Sequence, residues 1–263
     1  MVTQRSAKPR TPVQFRSAPP FYFMNRPIAI QGALQSEIDY FLDFFKVTHK
    51  TSVGNFVFYE CIYQDYPIII SKTKIGEISS AIATTLLIQK YQPLFILNQG
   101  TAGASTEQLN RGDIVIGDKI YYISQFSTEE NKEEDILNPW KKNEYRTLDN
   151  EHMSYSANPR FLTWLKSLEI IKKDNIRFGT IGSGDIWTKD AETIKKYNQD
   201  HDVVCEAMEC SGAHIAANSL GTSIVSIRVI ANNELKGQEY DETLGVRSQK
   251  IVIDIIDEYL KSI

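Results

Sequence analysis

The sequence predicts an α/β fold with one central sheet and helices on both of its faces. Short apolar runs of the strand type alternate with segments of helical apolar spacing from residue 27 to the C-terminus. Of the 263 residues, 42% are hydrophobic and 24% are charged, as is ordinary for soluble globular proteins. The sequence contains no internal repeat and no second core. We therefore expect a single domain over residues 24–263.

Residues 1–23 differ in composition from the rest of the chain. They contain four basic residues, no Asp or Glu, and four of the nine prolines. An acid-free, basic leader can resemble an organelle transit peptide, but the prolines oppose the amphipathic helix that such a peptide forms. This composition favours a disordered arm. Met24 offers a second start site, and we expect folded sequence to begin there.

The first half of the domain alternates strands and helices. Apolar residues at Ile38, Phe41, Leu42 and Phe45 have helical spacing, whereas Leu94 to Leu97 form the continuous apolar run of a buried strand. The predicted strands are 27–32, 56–59, 67–71, 94–97 and 113–116, and the predicted helices are 36–45 and 78–91. The second and third strands are close enough to form a hairpin.

The second half continues the alternation after a polar interval. Residues 126–158 are rich in acidic side chains and predict a long excursion over the surface. The predicted helices that follow are 160–168, 189–197, 210–220 and 242–260. The predicted strands are 178–182, 203–205 and 223–230.

Composition also excludes several classes of function. The net charge of −4 provides no broad basic field for nucleic acid, so a small polar substrate or a protein partner is favoured. No apolar run approaches the ~20 residues of a membrane span. Three cysteines without CxxC spacing favour a reducing compartment, the cytoplasm. The four histidines form no HExxH-like pair, and we predict no metal and no cofactor.

Polar and glycine-rich segments follow five of the predicted strands. They are 32–37, 100–103, 183–187, 206–209 and 231–234, and in one sheet such strand ends converge on a single cleft. The cleft would hold the carboxylates of Glu37 and Glu209, the amide of Asn232 and the ring of Trp187. Each also has a structural interpretation, as a first-turn helix residue, a surface charge, a turn residue or a core aromatic.

The stretch from Asn98 to Ser105, NQGTAGAS, reads as a loop directly after the apolar strand at 94–97. Gly100 and Gly103 permit a positive φ and allow a ligand to approach the main chain closely. Thr101 adds a hydroxyl group beside them. A ligand-binding loop and a plain structural turn both fit this pattern.

Six motifs, taken in order, resemble the purine and uridine phosphorylase superfamily, and most closely its 5′-methylthioadenosine/S-adenosylhomocysteine nucleosidase branch. The similarity spans Met24 to the C-terminus, and the arm and much of 126–158 fall outside it. The matching motifs are IQGALQSEI at 30–38, NQGTAG at 98–103, GDIV at 112–115, SGD at 183–185, ME at 208–209 and RVIAN at 228–232.

The resemblance implies a fold and a reaction. The fold is a single domain with a twisted, partly barrel-like mixed sheet flanked by helices, and the nucleosidases are usually homodimers. The reaction is hydrolysis of the N-glycosidic bond of a purine nucleoside, which releases the base and a ribose derivative.

The resemblance also implies roles for individual residues. Glu37 would orient and deprotonate the attacking water, and Glu209, with Met208 beside it, would hold the ribose hydroxyls. Trp187 would stack on the base and Asn232 would contact purine N7. The further substrate-binding residues are Thr101 beside the sugar and the water, Ala102, Gly103, Asp185, Ile186 and Tyr240.

Water is favoured over phosphate as the nucleophile. Phosphorylases of the superfamily carry a Gly-Asp-Pro-x-Arg segment after the first strand and another arginine just before the glycine-rich loop. Here Gly32 to Glu37 and Asn98-Gln99 occupy these positions, and neither segment has an arginine to hold a phosphate.

One position departs from the nucleosidase pattern. That branch carries Ser-Asp where this chain has Ala231-Asn232, and an amide has no proton to donate to the leaving base. Three interpretations remain open: slow cleavage of adenine nucleosides with Glu234 or water relaying the proton, a 6-oxopurine nucleoside hydrolase or phosphorylase, or a binding or storage protein. Retention of Glu37 and Glu209 favours an enzyme.

The pocket for the 5′ substituent is the least defined part of the site. Related enzymes build it partly from the excursion after Ile120 and partly from a partner subunit. The aromatic candidates in this chain are Tyr121, Tyr122, Phe126 and Tyr240.

Overall fold

The computed structural model describes residues 26–124, 154–173 and 175–263. The arm at 1–23, most of the polar interval and Phe126 lie outside these ranges. Within them, no helix is both long enough and apolar enough to cross a membrane.

A ten-stranded mixed sheet forms the centre of the molecule. The strands are β1 Ile28–Gly32, β2 Lys46–Val53, β3 Phe56–Tyr63, β4 Tyr66–Lys72, β5 Phe95–Ala104, β6 Ile114–Tyr122, β7 Ser154–Ser156, β8 Ile176–Ser183, β9 Val203–Ala207 and β10 Ser223–Asn232. They run in the order β10-β6-β8-β9-β5-β1-β4-β3-β2, and β7 pairs with β6.

Part of the sheet closes into a barrel. Strand β10 pairs antiparallel with β6 and also parallel with β5, so β10, β6, β8, β9 and β5 form a closed ring. The remaining strands extend the sheet from β1 outwards. The predicted single domain with a partly barrel-like mixed sheet is therefore confirmed.

Helices cover both faces of the sheet, because successive strand residues point to opposite sides. The helices are α1 Asp39–Phe44, α2 Glu77–Tyr91, α3 Pro159–Ser167, α4 Ala191–His201, α5 Cys210–Ser219 and α6 Gly245–Lys261. Ile28 and Ile30 of β1 pack in the core beneath α6, whereas Ala29 between them packs in the core beneath α2 and α5.

The structure corrects two predictions about local elements. The segment NQGTAGAS is not a loop, because β5 continues through it to Ala104, and neither Gly100 nor Gly103 has a positive φ. Strand β2 was not predicted because it lies at the edge of the sheet, where nearly all of its side chains are exposed and show no apolar alternation. The predicted hairpin at 56–71 is confirmed as β3 and β4.

Candidate active site

A cavity opens where several of these strands end. It is bounded by the turn after β1, the last residues of β5, β9 and β10, and the segment after β8. Its lining residues are Ala33, Leu34, Glu37, Ile75, Thr101, Ala102, Gly103, Ala104, Ser105, Ile186, Trp187, Thr188, Ile194, Glu206, Ala207, Met208, Glu209, Asn232, Glu234 and Tyr240. The predicted convergence of five strand-end segments on one cleft is therefore present.

Glu37 is held at one side of this cavity by main-chain donors. Its Oε2 accepts hydrogen bonds from the N–H groups of Ala33 (2.8 Å) and Leu34 (3.1 Å), and its Oε1 accepts one from Thr101 N–H (3.0 Å). The residue is 5% exposed. Glu37 is thus a fixed acceptor facing the cavity.

Gly100 is required for this arrangement. A Cβ atom built on Gly100 would lie 2.7 Å from Glu37 Oε1. The glycine therefore serves close packing of a carboxylate against strand β5, and not a turn.

Glu209, the residue directly before α5, faces the same cavity. Its Oε1 accepts a hydrogen bond from Gly76 N–H (3.4 Å), and its Oε2 lies 3.9 Å from Arg228 Nη2. Burial raises the pKa of Glu209 to about 6, while the charge of Arg228 acts to lower it and the charge of Glu37 to raise it. The carboxyl group is therefore poised to lose its proton just below neutral pH.

Arg228 lies behind Glu209 and is 1% exposed. Its Nη1 donates to the carbonyl of Asn98 (3.1 Å) and its Nη2 donates to Asn98 Oδ1 (2.8 Å). No role was predicted for Arg228 from the sequence, although its charge within the apolar run 223–230 was a signal that could have revealed it.

An aromatic wall borders the cavity on the exposed side. Tyr240 OH lies 3.3 Å from Thr101 Oγ1, and the Tyr240 ring meets Trp187 edge to face with centroids 5.5 Å apart. Trp187 is 50% exposed. An exposed tryptophan at a cavity mouth is not a core residue, so its aromatic face is available to a ligand.

Asn232 presents its amide group over Gly103. Its Nδ2 donates to Glu234 Oε1 (3.2 Å), and a Cβ atom on Gly103 would lie 3.1 Å from Asn232 Oδ1. The Nδ2 atom therefore has a fixed hydrogen-bond acceptor, and the Oδ1 atom can accept a hydrogen bond from a ligand.

Glu206 also lines the cavity, although no role was predicted for it from the sequence. It lies on β9, and its carboxylate accepts hydrogen bonds from Thr188 N–H (2.9 Å) and Thr188 Oγ1 (2.7 Å). Burial raises its pKa. The only signal in the sequence was an acidic residue in an otherwise apolar strand, VVCEA.

Asp185 does not line the cavity, which corrects its predicted place in the substrate site. Its Oδ1 accepts a hydrogen bond from Glu77 N–H (2.8 Å), and its side chain is exposed. The SGD motif therefore serves here to stabilise the first turn of α2. Ile186, Trp187 and Met208 line the cavity, and their contact with a substrate stays a prediction.

The aromatic candidates for a 5′ pocket separate in the structure. Tyr240 lines the cavity, whereas Tyr121 and Tyr122 do not. The ring of Tyr121 instead stacks on His201 with centroids 4.0 Å apart.

Glu77 lies behind the cavity in the first turn of α2 and is 5% exposed. Its carboxylate accepts hydrogen bonds from Ser183 Oγ and from Gly212 N–H, and so joins the end of β8 to the start of α5. Burial raises the pKa of Glu77 to about 7, and the charges of Glu209 and Asp185 contribute in the same direction. Nothing in the sequence indicated this role.

The fold and the cavity define a single-domain α/β protein in which a partly closed mixed sheet presents carboxylates to one cleft. The family model of the Phosphorylase superfamily matches residues 27–261, and the chain belongs to this superfamily.

The curated relatives of the chain include nucleosidases. The chain is 25% identical over 236 residues to a 5′-methylthioadenosine/S-adenosylhomocysteine nucleosidase of Exiguobacterium, covering 87% of this chain and 96% of that protein. It is 25% identical over 239 residues to the enzyme of the same name from Bacillus pumilus, covering 88% and 98%.

Solved structures share the fold. The nucleosidase of the same name from Helicobacter pylori, with butyl-thio-DADMe-Immucillin-A, has a TM-score of 0.74 at 20% identity, covering 90% of this chain and 100% of that one. Futalosine hydrolase of Helicobacter pylori has a TM-score of 0.73 at 21% identity, covering 89% and 98%.

Proposed function

We propose that this protein is a purine nucleosidase, which hydrolyses the N-glycosidic bond of a purine nucleoside and releases the base and a ribose derivative. The observation that carries the proposal is that Glu37 and Glu209 face one cavity. The activity named for the curated relatives, which this chain matches along nearly its whole length, supports it.

The two carboxylates suit the two tasks of this reaction. Cleavage passes through an oxocarbenium-like sugar, and a carboxylate bound to the ribose hydroxyls stabilises that positive charge. Glu209 takes this role. Glu37 orients a water molecule and removes its proton as the water oxygen bonds to C1′. Thr101, whose N–H and hydroxyl lie beside Glu37, borders the sugar and this water.

The base leaves with the electron pair of the broken bond. Trp187 stacks on it, and Asn232 contacts its N7 edge, with Ala102, Gly103, Ile186 and Met208 completing the apolar walls. Because an amide cannot protonate N7, the proton comes from Glu234, which is bonded to Asn232 Nδ2, or from solvent.

Water is the nucleophile in this proposal. No described residue that lines the cavity is Lys or Arg, and Glu37 would repel a phosphate dianion. Arg228 is the nearest guanidinium that the described contacts reveal, and Asn98 and Glu209 already occupy its Nη atoms.

A panel of nucleosides tests the reaction. Purified protein is incubated with 5′-methylthioadenosine, S-adenosylhomocysteine, adenosine and inosine, with and without phosphate, and the base and sugar products are separated by chromatography. Free base and free sugar at a rate independent of phosphate are expected. Sugar phosphate would instead indicate phosphorolysis, which remains the alternative for a 6-oxopurine substrate.

A binding or storage protein is the second candidate function. The amide at Asn232 favours it, because general-acid catalysis at this position contributes typically ~10²–10⁴-fold in rate. Such a protein would release no base from any nucleoside, yet a nucleoside would raise its melting temperature.

We further propose that the protein is a homodimer of the cytoplasm. Ile75, Ile78 and Ile82 form an apolar stripe at the start of α2, and Ile78 is 72% exposed. Because Ile75 also lines the cavity, a partner on this stripe would border the site. Light scattering should give the dimer mass, and Ile78→Asp should shift it towards the monomer. The three free cysteines suit a reducing compartment.

A further inference from the structure

The proposed reaction gives no task to Glu206, although its carboxylate lines the cavity. Both of its oxygens are oriented by Thr188, through the main-chain N–H at 2.9 Å and the hydroxyl at 2.7 Å. Thr188 therefore fixes the orientation of a partly buried carboxylate that borders the ligand cavity.

Glu206 lies in register with the base-contacting residue Asn232. Across three adjacent strands, Asn232 of β10 pairs with Gly103 of β5, and Gly103 pairs with Glu206 of β9. Adjacent strands are about 5 Å apart, so the outer two backbones are separated by about 10 Å. Gly103 adds no side chain of its own to the floor between them, and the amide of Asn232 lies over it.

A flat base on this floor would direct two different edges at these side chains. In the proposed reaction its N7 edge faces Asn232, and in the binding mode inferred here the pyrimidine-ring edge, which carries N1, faces β9 and Glu206. Trp187 and Thr188 are consecutive residues, so the carboxylate bound to Thr188 lies next to the stacking wall.

The hydrogen-bonding character of this edge of the cavity is that of an acceptor. Both carboxylate oxygens of Glu206 accept hydrogen bonds from Thr188, and the Thr188 N–H that could have served as a donor is thereby taken. A 6-oxopurine carries a hydrogen on N1, whereas N1 of adenine is itself an acceptor.

We propose that Glu206 is a specificity-determining residue that accepts the N1–H of a 6-oxopurine base and disfavours adenine. This inference rests on the proposed function and names the substrate class of the same site. The amide of Asn232 complements it, since Nδ2 can donate to O6 while Oδ1 accepts from N7 once that atom is protonated. With adenine, N1 and the Glu206 carboxylate are both acceptors, and they would face each other with no hydrogen between them.

Paired substrates that differ only in the base test the proposal. The ratio of kcat/KM for 5′-methylthioinosine to that for 5′-methylthioadenosine is measured by chromatography of the released base, and likewise for inosine and adenosine. The wild-type protein should favour the 6-oxopurine by about tenfold or more. Glu206→Gln, which can donate an N–H to adenine N1, should lower the ratio by about tenfold or more.

Two control variants separate recognition from loop anchoring. Thr188→Val removes the hydroxyl contact but keeps the carboxylate charge, so it should change both substrates alike and leave the ratio unmoved. Glu192→Gln removes an exposed charge on α4 and should also leave the ratio at the wild-type value. If Glu206 only anchored the loop, Glu206→Gln would behave as Thr188→Val does.

A measurement on the wild-type protein keeps the test valid if Glu206→Gln does not fold. Hypoxanthine should raise the melting temperature more than adenine at equal concentration. An adenine preference in the wild type, or an unchanged ratio in Glu206→Gln, overturns this inference and leaves the nucleosidase intact. Release of no base from any substrate overturns the proposed function, and this inference with it.

Discussion

Arg228 and Glu209 form an ion pair at the back of the cavity, with Nη2 and Oε2 3.9 Å apart, and the guanidinium is almost completely removed from solvent. Arginine stays protonated in proteins, so its charge is permanent. It favours the ionised form of a carboxyl group that burial would otherwise keep neutral. The negative charge proposed to bind the sugar therefore depends on Arg228, a buried residue of β10.

Replacement of Glu209 by Gln should abolish turnover. The amide keeps the shape and the contact with Gly76 but loses the negative charge that stabilises the cationic sugar. We expect base release to fall by about 10²-fold or more. Glu192→Gln, an exposed change on α4, should keep the parental rate. Parental turnover in folded Glu209→Gln protein would contradict the role assigned to this carboxylate.

The pH dependence of kcat/KM should report the ionisation of Glu209. Since its pKa is about 6 and the ionised form is required, the rate should rise as the pH increases through that value. Arg228→Met removes the charge that lowers this pKa, so the acidic limb should move to higher pH.

Arg228→Met should also destabilise the fold. It leaves a buried carboxylate without its counter-charge, a change that costs about 3–5 kcal/mol in other buried pairs. Urea unfolding and a pH–rate series on the same preparations measure both effects. An acidic limb that stays in place would show that Arg228 does not tune Glu209.

Replacement of Asn232 by Asp should raise adenine release. The new carboxyl group would lie beside Glu234, whose Oε1 is 3.2 Å from Nδ2 in the parent, and like charges at that distance raise the pKa of one member. A protonated acid would then face N7 at neutral pH. An increase of about 10²-fold in adenine release is expected, measured by chromatography. No gain would show that proton donation does not limit the rate.

Glu77→Gln should flatten the pH dependence of stability. The pKa of Glu77 is about 7 in the folded protein against an ordinary value of 4.5, so the folded state binds this proton more tightly than the unfolded chain does. The free energy of unfolding therefore falls as pH rises between these values, by up to about 3 kcal/mol from this group. Glutamine mimics the neutral form and cannot titrate. Urea unfolding at several pH values measures the slope, and an unchanged slope would refute the assignment.

Much of the fold follows from local patterns in the sequence. The apolar spacing at Ile38, Phe41 and Phe45 and the continuous run at 94–97 reflect one-sided and two-sided burial, which a chain must encode residue by residue. The edge strand β2 escaped prediction because it buries almost nothing. The full length of β5 was not predicted, because its glycines interrupt the apolar pattern. These glycines make room for the side chains of Glu37 and Asn232.

The site residues also include some that the sequence could predict and some that it could not. Glu37, Trp187, Glu209 and Asn232 could be selected because they follow predicted strands, and strand ends of one sheet converge. Asp185 followed the same rule and nevertheless lies outside the cavity, because its carboxylate bonds to the N-terminus of α2. Sequence position gives the edge of the sheet but not the direction of a side chain.

By itself, the sequence determined the alternation of strands and helices, the single domain, and the two acidic residues proposed for the water and for the sugar. Only the tertiary structure decided that β10 closes a barrel against β5, that Arg228 stands behind Glu209, and that Glu206 lies in register with Asn232. Hydrogen bonds between strands far apart in the chain fix these relationships. Periodicity records whether a residue is buried, but not which residue it meets there.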